Sequence, residues 1–152
     1  MREIGTDAFH SCESLKQVTF AEGSRLEKIE KGSFCRSGIE RVVIPKCVID
    51  IGESAFQRCE SLKEVVFGDG STLEKIGHDC FSETGVEKVV IPKGIAEIPE
   101  SAFKECKGLR EVVFEEGSKL KTIGREAFCD CENLAKMTFP DGLEKIGICA
   151  FQ

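Results

Sequence analysis

Ile51-Gly52-Glu53-Ser54-Ala55-Phe56-Gln57-Arg58-Cys59-Glu60-Ser61-Leu62-Lys63-Glu64-Val65-Val66-Phe67 is the stretch that decides how this chain folds. In its second half, Leu62-x-x-Val65-x-Phe67, β-branched and aromatic residues alternate with polar ones and stop at Gly68. That pattern predicts a short strand with Leu62, Val65 and Phe67 facing a core. In its first half Ile51, Ala55 and Cys59 recur at intervals of four, which predicts one face of a short helical turn with Ser54 near its start.

The same frame returns along the whole sequence, starting at Ile4, Ile29, Ile51, Ile76, Ile98, Ile123 and Ile146, with spacings of 25, 22, 25, 22, 25 and 23 residues. A fixed short period is the mark of a solenoid and takes precedence over local secondary structure. Long and short coils alternate, so Ile4, Ile51 and Ile98 are equivalent at a period of 47. The long coils carry Glu22-Gly23-Ser24, Asp69-Gly70-Ser71 and Glu116-Gly117-Ser118; the short ones have Ile44-Pro45-Lys46 or Ile91-Pro92-Lys93 instead and lose a residue near Ser37 or Thr84. These differences fall at turns, where changes of length are tolerated. All eleven phenylalanines sit in the frame, seven beside the small residue and four at the strand end.

Leu62-x-x-Val65-x-Phe67 matches the strand signature of leucine-rich repeats, and Ile51-Gly52-x-x-Ala55-Phe56-x-x-Cys59 resembles the BspA-like, or Treponema-type, class. The resemblance covers essentially the whole chain. It implies an α/β fold: a right-handed leucine-rich-repeat solenoid with a parallel β-sheet of short strands on the concave face and short helical turns on the convex side. Residues 1–152 are expected to form a single domain of six complete coils and a truncated seventh from 146, cut from a longer array because neither end shows a polar cap. Uncapped coils of this kind invite end-to-end self-association.

Composition bounds the partners. A net charge of −6 with charged residues at 32% lacks the clustered basic footprint of a nucleic-acid partner. No apolar run approaches the roughly 20 residues of a bilayer span, and Met1 leads into Arg2-Glu3 rather than a signal sequence. Membrane insertion of this segment is therefore not expected.

Nine cysteines would suggest a disulfide framework in a small secreted protein, but the frame gives them another reading. Cys12, Cys59, Cys106 and Cys131 share a position that Ser37 and Thr84 fill in the short coils, and Cys80 stands where Ala8, Ala55, Ala102 and Ala127 stand. A small inward group is the common requirement. Cys106 and Cys131, in adjacent coils, are the framed pair near enough for a bridge, although stacked side chains run parallel rather than toward one another. Cys35 and Cys129 lie four coils apart, about 19 Å. Cys129-x-Cys131, Cys47 and Cys149 lack the knuckle spacing of a zinc site.

Catalytic and cofactor chemistry finds little purchase. His10 and His78 occupy different frame positions three coils apart, without a repeated Ser or Asp partner. The acids Asp69, Glu115 and Glu116 in the Gly-Ser turns invite calcium, which needs several convergent oxygens. The reading is a protein without enzymatic activity, cofactor or metal.

Three outward columns can be written for the strand segment. Lys16, Glu40, Lys63, Glu87, Arg110 and Ala135 form the first, and Gln17, Arg41, Glu64, Lys88, Glu111 and Lys136 the second, a checkerboard that also penalises a one-coil slip. The third is Thr19, Val43, Val66, Val90, Val113 and Thr138. Valine there either serves strand propensity or makes an exposed apolar stripe rimmed by charge, a mark of an interaction site. The second reading makes Val43, Val66, Val90 and Val113, with Arg41, Glu64, Lys88 and Glu111 beside them, the candidate site for a protein or peptide ligand. The resemblance implies a cell-surface or secreted, adhesin-like binding module; the alternative is an intracellular scaffold or spacer, in which unpaired thiols are at ease.

Overall fold

A computed structural model describes residues 1–152 and shows thirteen short parallel strands. They are β1 (Glu3–Ile4), β2 (Gln17–Val18), β3 (Lys28–Ile29), β4 (Arg41–Ile44), β5 (Asp50–Ile51), β6 (Glu64–Phe67), β7 (Lys75–Ile76), β8 (Lys88–Ile91), β9 (Glu97–Ile98), β10 (Glu111–Phe114), β11 (Thr122–Ile123), β12 (Lys136–Met137) and β13 (Lys145–Ile146). The even-numbered strands make one six-stranded sheet in the order β2-β4-β6-β8-β10-β12, and the odd-numbered ones line a flank as β1-β3-β5-β7 and β9-β11-β13. Each turn of the chain thus contributes one strand to each wall of a parallel β-solenoid of about six turns.

The register is that of the repeat. Val42 pairs with Val65 and Ile44 with Phe67, Val89 with Val112 and Ile91 with Phe114, and Ile29 with Ile51 on the flank. Because side chains alternate across a strand, these residues all face inward, where Val42, Ile44, Val89 and Val112 are almost completely buried. One continuous cluster of 33 buried residues runs the length of the stack. Its spine is a file of rings, Phe9, Phe34, Phe56, Phe81, Phe103, Phe128 and Phe151, with successive centroids 5.1 to 5.4 Å apart and planes within 13° of parallel.

The helical turns expected over Ile51–Cys59 and its equivalents do not form. This wall has no helix; it is a chain of tight turns with a left-handed residue every fourth position, Ser54 (φ 54°) and Arg58 (φ 58°) in one coil, Asp79 (φ 55°) and Glu83 (φ 56°) in the next. An α-helix would direct its amides, past the first turn, to carbonyls four residues back in its own segment. Here alternate amides look inward and onward: Ala55 and Gln57 N–H donate to Gly52 and Ser54 carbonyls three residues back, whereas Ser54, Phe56 and Arg58 N–H donate to His78, Cys80 and Ser82 carbonyls of the following coil. The wall is knit between coils as a sheet is. The interval of four belongs to this turn ladder; Ser54 occupies a left-handed corner rather than a helix start, as does its equivalent Asp7 (φ 53°) in the first coil.

Prolines and glycines explain where the ladders change. The flank sheet splits between β7 and β9 because Pro99 has no N–H to give Ile76, where Gly52, Gly124 and Gly147 donate to Ile29, Ile98 and Ile123. Where the short coils lose a residue, the backbone passes directly under its neighbour: a Cβ on Gly85 would lie 2.6 Å from the Glu60 carbonyl oxygen, so only glycine fits.

All nine cysteines are free thiols. Cys59, Cys106 and Cys131 donate to the carbonyls of Phe34, Phe81 and Phe103 at 3.0, 3.1 and 3.0 Å. Ser37 and Thr84 hydroxyls stand 3.5 and 3.3 Å from Cys59 and Cys106 Sγ, so the shared frame position is a buried column of thiol and hydroxyl groups. Burial pushes the Cys59 thiol up to about 11.

Candidate binding surface

The outward face of the six-stranded sheet carries the predicted columns in register. Arg41 lies opposite Glu64 and Val43 opposite Val66, Glu64 opposite Lys88, and Val113 and Glu111 opposite Val90 and Lys88. Alternation along β4, Arg41 out, Val42 in, Val43 out, Ile44 in, is what places valine on the solvent side. Val43 is 39% exposed and Val90 40%, while Val66 and Val113 are half-buried.

The second column is bonded across the coils. Arg41 Nε meets Glu64 Oε2 at 2.6 Å, Lys88 Nζ meets Glu111 Oε2 at 2.8 Å, and Lys136 approaches Glu111 Oε1 at 3.7 Å. The hydrogen bond from Lys88, with Lys136 adding, holds the Glu111 carboxyl below the usual carboxylate range. Exposed pairs of this kind contribute little to stability, so their main effect is to fix register.

Sequence reasoning missed two features of this face. Pro45, Pro92 and Pro140 begin the turn after the strand in every short coil, opposite Ala21, Gly68 and Glu115 in the register of the sheet. Non-proline residues at the next junctions, Gly68 and Glu115, donate to Ile44 and Ile91 carbonyls; the prolines cannot. In the two end pairs of strands a groove of about 400 Å³ lies between Phe20-Ala21 and Pro45-Lys46 and one of about 620 Å³ between Phe114-Glu115 and Phe139-Pro140; neither reaches Pro92. Lys46 and Lys93 are exposed just beyond these prolines. The sequence signal was the proline itself, which marks a turn equally well without a groove.

The other candidates are dispersed. His10 Nδ1 contacts the hydroxyl of its neighbour Ser11 at 3.0 Å on the exposed turn wall, with no third group to orient it. No three His, Cys, Asp or Glu side chains converge as metal ligands, and Glu115 accepts a hydrogen bond from the Lys93 backbone N–H at 2.9 Å. No helix is long and apolar enough to cross a membrane.

Parallel strands stacked by a leucine-rich strand signature define a leucine-rich-repeat protein. The profile of the BspA type leucine rich repeat region matches residues 1–110 and 97–152 in six copies, and the chain belongs to that family. No curated protein shows significant sequence similarity to it. Among solved structures it resembles a leucine-rich-repeat protein of T. pallidum (TM-score 0.56, 21% identity, 96% of this chain and 66% of that one) and the pneumococcal vaccine antigen PcpA (TM-score 0.54, 20% identity, 97% and 56%). It also resembles a leucine rich cell surface protein of Faecalibacterium prausnitzii (TM-score 0.55, 26% identity, 83% and 40%). The chain therefore spans 40 to 66% of the length of these relatives.

Proposed function

We propose that this chain is a non-enzymatic protein-binding module of a surface or secreted, adhesin-like protein. In this reading residues 1–152 act as one right-handed solenoid domain, and a protein or peptide docks on the six-stranded sheet as its concave face. The observation that carries it is the outward valine column, Val43, Val66, Val90 and Val113, continuous across four neighbouring strands and left partly open to water. Arg41, Glu64, Lys88 and Glu111 form its polar rim, the usual arrangement of an interface. The 26% identity to a bacterial cell surface protein supports the setting.

The test is a double substitution, Val66→Arg with Val90→Arg. Both side chains point to solvent, so the variant is expected to fold, with an unchanged far-ultraviolet spectrum, and to lose capture of its partner. A folded variant that captures partner as well as the parent chain sinks the docking assignment.

One observation favours a second reading, an intracellular scaffold or spacer: the nine cysteines are all unpaired, a state that a reducing compartment maintains. Thiol titration of protein freshly isolated from its native compartment separates the two readings.

A further inference from the structure

The valine face repeats every second coil. Val43 and Val90, the more exposed pair, belong to the short coils, and the charges around the stripe change sign in step with them. In the second coil Val43 stands between Arg41 and Lys46; in the third Val66 stands between Glu64 and Asp69; in the fourth Val90 stands between Lys88 and Lys93; in the fifth Val113 stands between Glu111 and Glu116. The residues nearest the stripe on each side therefore carry the same bands, basic, acidic, basic, acidic, one coil apart, while the column beyond them on the strand side, Glu40, Lys63, Glu87 and Arg110, carries the opposite signs. With strands about 4.8 Å apart, a complete band period is about 9.6 Å.

That length selects among ligand backbones. Side chains on one face of an extended strand recur every 6.6 to 6.8 Å or so, and a two-turn helical repeat takes about 10.8 Å. A polyproline II helix has three residues per turn and rises about 3.1 Å per residue, so each of its three faces recurs at about 9.3 Å and keeps step with two coils. It also has no internal hydrogen bonds, leaving its carbonyls for donors such as Lys46 and Lys93.

Resting on the docking surface proposed above, we infer that this face takes a polyproline II peptide laid along the solenoid axis, with one apolar, one acidic and one basic residue in each triplet. The apolar residue of each triplet lies on the valines. The acidic residue, on one flank, meets the basic band. The basic residue lies on the other flank, about 3.1 Å further along, nearer the acidic band than the basic one. Charge complementarity of this kind fixes the register of the ligand.

The probe is a labelled twelve-residue peptide of four Pro-Glu-Lys triplets, compared with a peptide of identical composition whose charges are blocked in pairs, so that the threefold period is gone. Binding to the full chain is followed by fluorescence anisotropy at low salt. The triplet peptide is expected to bind at least about tenfold more tightly than the blocked one, and Lys46→Glu with Lys93→Glu, at exposed positions outside the core, is expected to cancel that preference. If both peptides bind alike and Val66→Arg with Val90→Arg abolishes both, the stripe docks ligands but the threefold period is wrong. If neither peptide binds, the inference is overturned while capture of a protein partner still tests the docking surface by itself. If the triplet peptide binds the arginine variant unchanged, both readings fail.

Discussion

Phe56 and Phe81 lie face to face across a coil boundary, ring centroids 5.3 Å apart and planes 6° from parallel, each shielded almost completely from water. A ring in the middle of this file touches one above and one below, whereas Phe9, at 37% exposed, has a partner on one side alone. Truncating an interior ring both loses buried area and leaves a hole that neighbours held by backbone ladders cannot fill. Phe81→Ala is expected to cost about 3–5 kcal/mol and Phe9→Ala markedly less, read from the midpoints of urea unfolding curves.

The gap that Pro99 leaves in the flank sheet makes a local prediction. Lys121 and Thr122 N–H donate to the Ala96 carbonyl, and Glu74 and Lys75 to Ile49, but the equivalent amides of Ala96 and Glu97 have no such acceptor in the coil before them. Native-state hydrogen exchange is expected to show Ala96 and Glu97 exchanging early, with Lys121 and Thr122 protected. Equal protection at the two places would mean that the ladder is intact across the proline.

Acid should loosen the stack through identifiable groups. Glu111 is held below its ordinary range by the hydrogen bond from Lys88, and Glu126 by the one from Lys104 at 2.6 Å. A carboxyl with a depressed folded-state pKa contributes stability that is present above its unfolded value and is lost as pH falls through the folded one. Stability is therefore expected to decline below about pH 4.5. In Glu111→Gln and Glu126→Gln the decline should be shallower, as seen in melting temperatures measured across pH.

Thiol reactivity should sort by depth. Burial raises the Cys59 thiol to about 11 and moves Cys80 in the same direction, so neither presents thiolate at neutral pH. Cys149 is exposed. Brief treatment with iodoacetamide under native conditions, followed by peptide mass mapping, is expected to label Cys149 and spare Cys59 and Cys80. Early labelling of Cys80 would show that the coils around it open readily.

How much of this was legible in the chain varies by wall. In the six-stranded sheet, the alternation Arg41, Val42, Val43, Ile44 states which side faces in, and the recurrence of that quartet states which residues meet across strands; both registers follow from the period alone. The turn wall misled because Ile51, Ala55 and Cys59 at intervals of four fit a helical face as well as they fit a ladder of four-residue turns. The distinguishing fact is the left-handed backbone at Ser54 and Arg58, residue types that carry no such signature, and Gly32 (φ 62°) is the one corner of this wall marked by glycine. The candidate site was half legible. Val43 and Val90 could be placed facing outward, but not the difference in exposure between long and short coils. The grooves beside Pro45 and Pro140 were signalled by the prolines alone, and Pro92, in the same frame position, lines neither of them.

The hydrogen bonds between coils give the pillar a direction. On the turn wall, Phe56 N–H points onward to Cys80; on the flank, Gly52 N–H points back to Ile29. Inverting one coil would set donor against donor on the turn wall at one of its boundaries and acceptor against acceptor at the other. A copy of any two-coil unit slotted into the row the right way round, by contrast, meets complementary groups above and below. Tandem insertion or excision of 47 residues therefore changes the length of the molecule without asking any other residue to change.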